Sequence, residues 1–328
     1  MKKNKSKKSP IISIIAVILV VVLVFSGFQL ITIIFSPNST DTKTTTNTKT
    51  ISRDGKDYYP RQDITVLMLT GIDQTGPVKS SQSYNNEGEA DMIALAVFDE
   101  ADKTFDVLVL NRDTMLNVPI LGIGGKQAGT SFEQLALSHT YGTGLEDSCE
   151  NTEKTVSNFL YGLNIDYYIS MNMDAISILN DAVGGVTVNV TDDFSAVDLS
   201  ITQGEFTLKG DQALTFIQTR KDVGNQMNIS RMDRHTEYMN GFIKAFNNKL
   251  KNDGESFIYS TYSSIEKYTV TDCSVNTLSN LINKYADYKL NDIITPEGKN
   301  KTGGEYMEFY VNEDKLEQLI LNLFYSEK

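Results

Sequence analysis

Four of the chain's six arginines fall in two short stretches of a sequence whose other 24 cationic residues are all lysine. Arg112 stands in Asn111-Arg112-Asp113-Thr114, directly after an apolar run. Arg220, Arg231 and Arg234 follow within 15 residues of one another. A guanidinium presents a planar fork of donors that grips phosphate or carboxylate at two points, whereas an ammonium acts as a point charge. The formal net charge is -12, so these arginines are not part of a general basic coat. Their type and clustering point to an anion site. Arg231 and Arg234 are three apart and share one helix face; Asp222 and Asp233 would be their partners if that face is merely solvated.

Carboxylates recur at comparable positions. Asp73 follows the first apolar run in Gly71-Ile72-Asp73, and Asp91 opens the second. In open α/β sheets, ligands bind beyond the carboxyl ends of the strands. Asp73 and Arg112 meet that condition; Asp91 meets it only if its strand runs antiparallel to its neighbours. Acids and arginines at one edge suit an oxyanion held with a hard cation, and magnesium takes few carboxylates while sharing itself with substrate phosphates. An Asp at a strand end also serves as a turn residue or helix cap. Other chemistries lack support. The two histidines, His139 and His235, have no HExxH context, and no GxSxG, P-loop or GxGxxG is present. His139 lies on an apolar segment and reads as packed. Gly122-Ile123-Gly124-Gly125 is a glycine-rich loop without nucleotide-site flanks.

The elements that must position these residues follow from hydrophobic patterning. Continuous apolar runs at 64–71, 92–99 and 105–111 predict buried strands, with a loop between the first two. Further strands are expected at 167–173, 186–190 and near 307–311. Helices are expected at 132–141, 151–162, 175–183, 209–220 and 231–252, with two or three more after 253, and Gly184-Gly185 closes the 175–183 helix. Apolar strands alternating with helices predict a layered α/β domain with a mostly buried sheet.

The N-terminus has a different character. Residues 11–35 are 25 consecutive uncharged, mostly apolar residues, preceded by Lys2, Lys3, Lys5, Lys7 and Lys8. About 20 such residues span a bilayer, and the lysines place the first ten residues in the cytoplasm. An uncleaved signal anchor is expected, since the run is long and no A-x-A-like cleavage site follows. The predicted organisation is a tail at 1–10, an anchor at 11–35, a threonine-rich flexible spacer at 36–62 and an extracellular domain at 63–328. The five lysines aside, the remaining charge is -12 - 5 = -17, which excludes nonspecific nucleic-acid binding. Export permits a disulfide between Cys149 and Cys273; that pairing is the expectation, with two separate thiols as the alternative.

Taken in order, strand-Gly71-Ile72-Asp73, Asp91 opening the next strand, Arg112-Asp113-Thr114, DAVGGVTVNV (181–190), LKGDQALTFIQTRK (208–221) and R-x-x-R at 231–234 resemble the LytR-CpsA-Psr family of bacterial cell-wall proteins. The likeness spans about residues 64–246, and it implies an α/β fold of αβα layers around a mixed central sheet. It implies a membrane-anchored phosphotransferase that moves a glycopolymer, such as wall teichoic acid or capsular polysaccharide, from a polyprenyl-pyrophosphate carrier to a muramic acid hydroxyl of peptidoglycan, with a pyrophosphatase side activity. It further implies that Asp73 and Asp91 hold magnesium, that Arg112, Arg220, Arg231 and Arg234 bind the pyrophosphate, and that Asp113 acts beside Arg112. The lipid tail would lie in an apolar pocket, with faces around 135–141, 156–163, 175–183 and 239–246 as lining. The chain departs from the family pattern at Glu89 and Gln218, where arginine is usual, and at His235, where glutamine often stands. Those departures leave open a noncatalytic carrier-binding or regulatory role.

Overall fold

The computed structural model describes residues 50–219, 223, 228–253, 255–285, 288–303 and 306–327. The expected tail, anchor and first part of the spacer lie outside these residues. Among the described residues no helix is long and apolar enough to cross a membrane.

The first elements correct the expected spacer. β1 (Ile51–Arg53) and β2 (Lys56–Pro60) form a hairpin, and β2 pairs on its other side with the last strand of the chain, Tyr325–Glu327. The polar composition of 51–60 gave no sign of this, because the partner strand comes from the opposite terminus.

β3 (Ile64–Ile72), β4 (Ala90–Asp99) and β5 (Thr104–Leu110) are the apolar runs read from sequence. They are apolar throughout because both faces are covered. Val66 and Met68 point into one core, and Leu67 and Leu69 into the other. Two strands not foreseen follow. β6 (Met115–Leu121) and β7 (Gln127–Gln134) pair as a hairpin, and the glycine-rich loop is its turn. Gly124 and Gly125 there have φ of 81° and 69°, a region glycine enters without steric cost. The helix expected at 132–141 is thus the end of β7 followed by a 3-10 turn, Leu135–Thr140. Buried Leu135, Ala136 and His139 give that segment its helical spacing, but pairing with β6 claims residues up to 134.

Next come α1 (Glu146–Phe159), β8 (Tyr167–Asn172), α2 (Asp174–Ala182), the hairpin of β9 (Val186–Val190) and β10 (Gly204–Leu208), α3 (Asp211–Gln218), α4 (Asn228–Asp253) and α5 (Glu255–Ile265). The chain ends with β11 (Thr269–Thr271), α6 (Val275–Tyr285), β12 (Lys289–Ile294), the hairpin of β13 (Gly298–Gly303) and β14 (Tyr306–Val311), α7 (Glu313–Phe324) and β15 (Tyr325–Glu327).

The central sheet has the order β11-β8-β3-β4-β5-β12. β4 is antiparallel to both β3 and β5, β8 is parallel to β3, and β12 is parallel to β5. Helices and hairpins cover both faces. One core gathers Ala175, Leu179, Phe216, Tyr238, Phe242 and Phe246; the other gathers Val156, Leu160, Leu316, Ile320 and Phe324. The mixed sheet and its layering are those expected. Cys149 lies in the second core and Cys273 in the first, both buried. The expected disulfide between them does not form, because the sheet stands between the thiols.

Candidate functional site

Strand polarity assembles the site. Because β4 runs against β3 and β5, its first residues lie beside the last residues of those strands. Asp73, Asp91 and Arg112 therefore share one edge of the sheet, and the antiparallel condition set by Asp91 is met. The ladder shifts register between Gly71 and Ile72, so that Ile72 faces Ala90. Irregularities of this kind re-aim side chains next to sites. Asp73 N donates to Glu89 O at 2.9 Å, which ties the two segments together.

Arg112 is the centre of the charge cluster. Its Nη2 donates to Glu89 Oε2 at 2.5 Å, its Nη1 faces Asp91 Oδ1, and its Nε lies 3.6 Å from Asp113 Oδ1. Its side chain is 31% exposed, so the group is open to a ligand on one side. The turn bearing it is fixed locally. Asp113 N donates to Asn111 Oδ1 at 2.9 Å and Thr114 Oγ1 to Asn111 O at 2.6 Å. Side chains of this type build turns by bonding nearby backbone. The 3-10 turn holds the outer side, with Ala136 N on Arg112 O at 3.0 Å and Leu135 N on Thr114 O at 2.8 Å. Gln134 Nε2 donates to Asp113 Oδ1 at 3.0 Å. Glu89, where the resembled family has arginine, thus points into the site at Arg112.

Behind Glu89 is a buried polar network that sequence reasoning did not foresee. His139 is buried, as read, and its Nδ1 donates to Gly88 O at 2.9 Å. A carbonyl only accepts, so Nδ1 carries the proton of the neutral ring. Burial pushes the His139 pKa below its ordinary value. Asn86 Nδ2 donates to His139 O at 2.8 Å and Ser148 Oγ at 3.1 Å, while Gly88 N donates to Asn86 Oδ1 at 2.8 Å. Together these pin the Gly88 backbone one residue before Glu89. Asn86 sits in a stretch that composition marks only as loop, and no local pattern distinguishes it.

The second arginine stretch divides. Arg220 lies outside the described residues, as does the side chain of Arg231, whose backbone belongs to α4. Arg234 is described, and its guanidinium is turned into the protein. It is 3% exposed. Its Nε donates to Phe216 O at 2.8 Å, its Nη1 to Asp192 Oδ2 at 2.6 Å and its Nη2 to Thr219 O, with the guanidinium 5.6 Å from the Phe194 ring centroid. A guanidinium with its nitrogens so engaged holds the end of α3, from which the chain runs on to Arg220. The pairing acid is Asp192, a residue remote in sequence. Gln218 Nε2 lies 2.9 Å from Met173 Sδ, which places this second departure next to the end of β8, on the same sheet edge.

Asp73 and Asp91 are oxygen donors of the kind a hard cation takes. Asp91 Oδ1 is buried and faces the Arg112 guanidinium. Among the described residues no group of three or more His, Cys, Asp and Glu side chains is disposed to hold a metal. An all-oxygen pair of carboxylates completed by substrate phosphate is the usual arrangement for magnesium. The apolar faces considered for a lipid tail do not line one groove. Leu135, Val156 and Leu160 belong to one core, and Ala175, Leu179, Phe242 and Phe246 to the other, across the sheet.

Comparison with known proteins extends this picture. Residues 31–324 match the LytR_cpsA_psr family. A polyisoprenyl-teichoic acid–peptidoglycan teichoic acid transferase TagU of Oceanobacillus iheyensis is 27% identical over 271 residues, covering 80% of this chain and 75% of that protein. The protein of the same description from Bacillus subtilis is 28% identical over 195 residues, covering 60% of this chain and 56% of that one. Among solved structures, TagT bound to LIIa-WTA superposes with a TM-score of 0.56 at 22% identity, covering 80% of this chain and 90% of that one. The crystal structure of B. subtilis TagU gives a TM-score of 0.51 at 23% identity, covering 80% and 96%. With the family model matched over most of its length, and the same sheet architecture in the solved relatives, this chain belongs to the LytR-CpsA-Psr family.

Proposed function

We propose that the protein transfers a teichoic-acid-type glycopolymer from a polyprenyl-pyrophosphate carrier to peptidoglycan, acting outside the cell from a single N-terminal membrane anchor. The observation that carries the reading is the gathering of Asp73, Asp91 and Arg112 at one sheet edge in a chain of this family, whose relatives bear the name teichoic acid transferase.

The chemistry is a phosphoryl-centred substitution. A sugar hydroxyl of peptidoglycan attacks the phosphorus bonded to the glycopolymer. The P–O bond to the carrier phosphate breaks, polyprenyl phosphate leaves with its electron pair, and the hydroxyl proton passes to a carboxylate. Asp113, held by Gln134 beside Arg112, is the carboxylate assigned to that proton. Arg112 neutralises charge that builds on the bridging and leaving oxygens, which contributes more in the transition state than in the ground state. Asp73 and Asp91 would hold magnesium, which would supply Lewis-acid stabilisation of the phosphates. The network from Asn86 through His139 to Gly88 orients the segment bearing Glu89 and Asp91, and Arg234 orients the approach to Arg220. Positioning of this kind accounts for much of catalysis in phosphoryl transfer.

The test is transfer of a lipid-linked glycopolymer to peptidoglycan by the full chain and by Arg112→Ala. Loss of transfer in the variant is expected; equal product from the two would remove Arg112 from the mechanism. A noncatalytic role is favoured by Glu89 alone, which occupies the fork that an anion needs. Carrier binding with no turnover in any divalent cation would establish that second reading.

A further inference from the structure

The β13–β14 hairpin enters none of the chemistry above, yet it is bonded to the site. Phe309 N donates to Asp113 O at 2.8 Å, Thr114 and Phe309 form a bridge, and Gln134 Nε2, which holds Asp113, also donates to Met307 O at 2.7 Å. Strand alternation gives the hairpin two characters. Phe309 is buried and Val311 packs against the core. Tyr306, Glu308 and Tyr310 share the opposite, outward face. Their ladder register adds Lys301 opposite Glu308 and Lys299 opposite Tyr310.

That outward face is unusually aromatic for open surface. Tyr306 is 67% exposed and Tyr310 37%. On β7, Phe132 is 58% exposed and lies two residues before Gln134, on the same strand face. Exposed aromatics grouped beside a site mark a binding surface. Charges interleave with the rings. The Tyr310 hydroxyl donates to Glu308 Oε2 at 3.0 Å, and Lys301 Nζ sits 5.7 Å from the Tyr310 ring centroid. Exposed rings set among a carboxylate and ammonium groups suit a carbohydrate: rings cover the C–H faces of sugars, charged heads meet hydroxyls, and Lys299 and Lys301 complement acidic substituents.

We propose that this face, with Phe132, is the docking platform for the acceptor glycan strand of peptidoglycan. The inference rests on the transfer reading for the acceptor's identity, and it assigns the second substrate to the hairpin side of Asp113. Through Gln134 and Phe309, a strand seated on the hairpin would present its hydroxyl next to the Asp113 carboxylate that takes the proton.

The test uses the full chain in detergent and, as probe, muramidase-released peptidoglycan fragments stripped of wall polymers. Tyr306→Ala/Tyr310→Ala should weaken fragment binding by roughly tenfold or more, the effect of truncating aromatic anchors. In the transfer assay it should raise KM for acceptor with kcat little changed. Tyr306→Phe/Tyr310→Phe should retain binding, and binding of a polyprenyl pyrophosphate should be unaffected by either change. Equal fragment affinity in wild type and the Ala variant, or no fragment binding by wild type, would overturn the platform. Loss of liposome binding with fragment binding intact would assign the face to membrane instead. Fragment binding is read without turnover, so absence of transfer would count against the proposed reaction and not against the platform.

Discussion

Glu89 Oε2 and Arg112 Nη2 lie 2.5 Å apart, and the same guanidinium faces Asp91. The arginine best placed for an incoming phosphate is thus already engaged by carboxylates of the chain itself. A ligand must displace them, or a cation must claim them, before Arg112 is available. Where the family usually has a second cation at this place, the present chain has a competitor for the first.

Glu89→Gln should tighten binding of a polyprenyl-pyrophosphate analogue. The pair is about one-third exposed on each side, so its contribution is screened to about 1 kcal/mol, or roughly fivefold in affinity. Titration of the analogue against wild type and variant decides the matter. Unchanged or weaker binding in the variant would show that Glu89 does not compete for Arg112.

The Gly88–Glu89 segment should loosen in acid through His139. Burial lowers the His139 pKa below its model value of 6.5, so the unfolded chain takes up this proton first as pH falls. The stability tied to the neutral ring is complete above about pH 6.5 and is lost as pH falls through that value, by at most about 1.4 kcal/mol per pH unit. Thermal melts at pH 7.5 and 5.5 should show a drop for wild type that shrinks in His139→Gln, whose amide can still donate to Gly88 O. The lowered pKa values of Asp63 and Asp99, which pair with Arg61, act only at more acid pH. An identical drop in both proteins would exclude His139 as its source.

Arg234→Ala should be a folding lesion before it is a binding lesion. Truncation leaves Asp192 and the carbonyls of Phe216 and Thr219 without their donor. Removing one member of a buried pair costs about 3 to 5 kcal/mol. A melting temperature within a degree of wild type, together with lost carrier affinity, would show that Arg234 contacts the ligand.

Both cysteines should alkylate in denatured protein that has never been reduced, because no disulfide joins Cys149 to Cys273. In the native state Cys149 should resist thiol reagents, since burial pushes its pKa up to about 12 and only the thiolate reacts readily. Mass spectrometry counts the adducts. Two adducts under denaturing conditions are expected, and none would reinstate the disulfide.

Much of the frame was legible because it is local. The runs 64–71, 92–99 and 105–111 are apolar without alternation, which only a strand covered on both faces requires, and β3, β4 and β5 stand there. Arg112 was legible because arginine is rare in a lysine-rich chain and follows a strand end. The β6–β7 hairpin was missed because Leu135, Ala136 and His139 mimic a helical face. The β1–β2 hairpin was missed because its partner, β15, is at the other terminus.

By itself, the sequence determined the order of buried strands and helices, the placing of Asp73, Asp91 and Arg112 at strand ends, and the family they belong to. Those properties depend on residue type and short-range spacing. Tertiary structure alone decided that Glu89 turns into the site, that Arg234 is buried on Asp192 and two backbone carbonyls, and that the sheet parts Cys149 from Cys273. It also brought Gln134 and Met307 together beside Asp113. Each of these depends on which distant segment a side chain meets once the sheet closes its two cores, and no local pattern in the chain encodes that meeting.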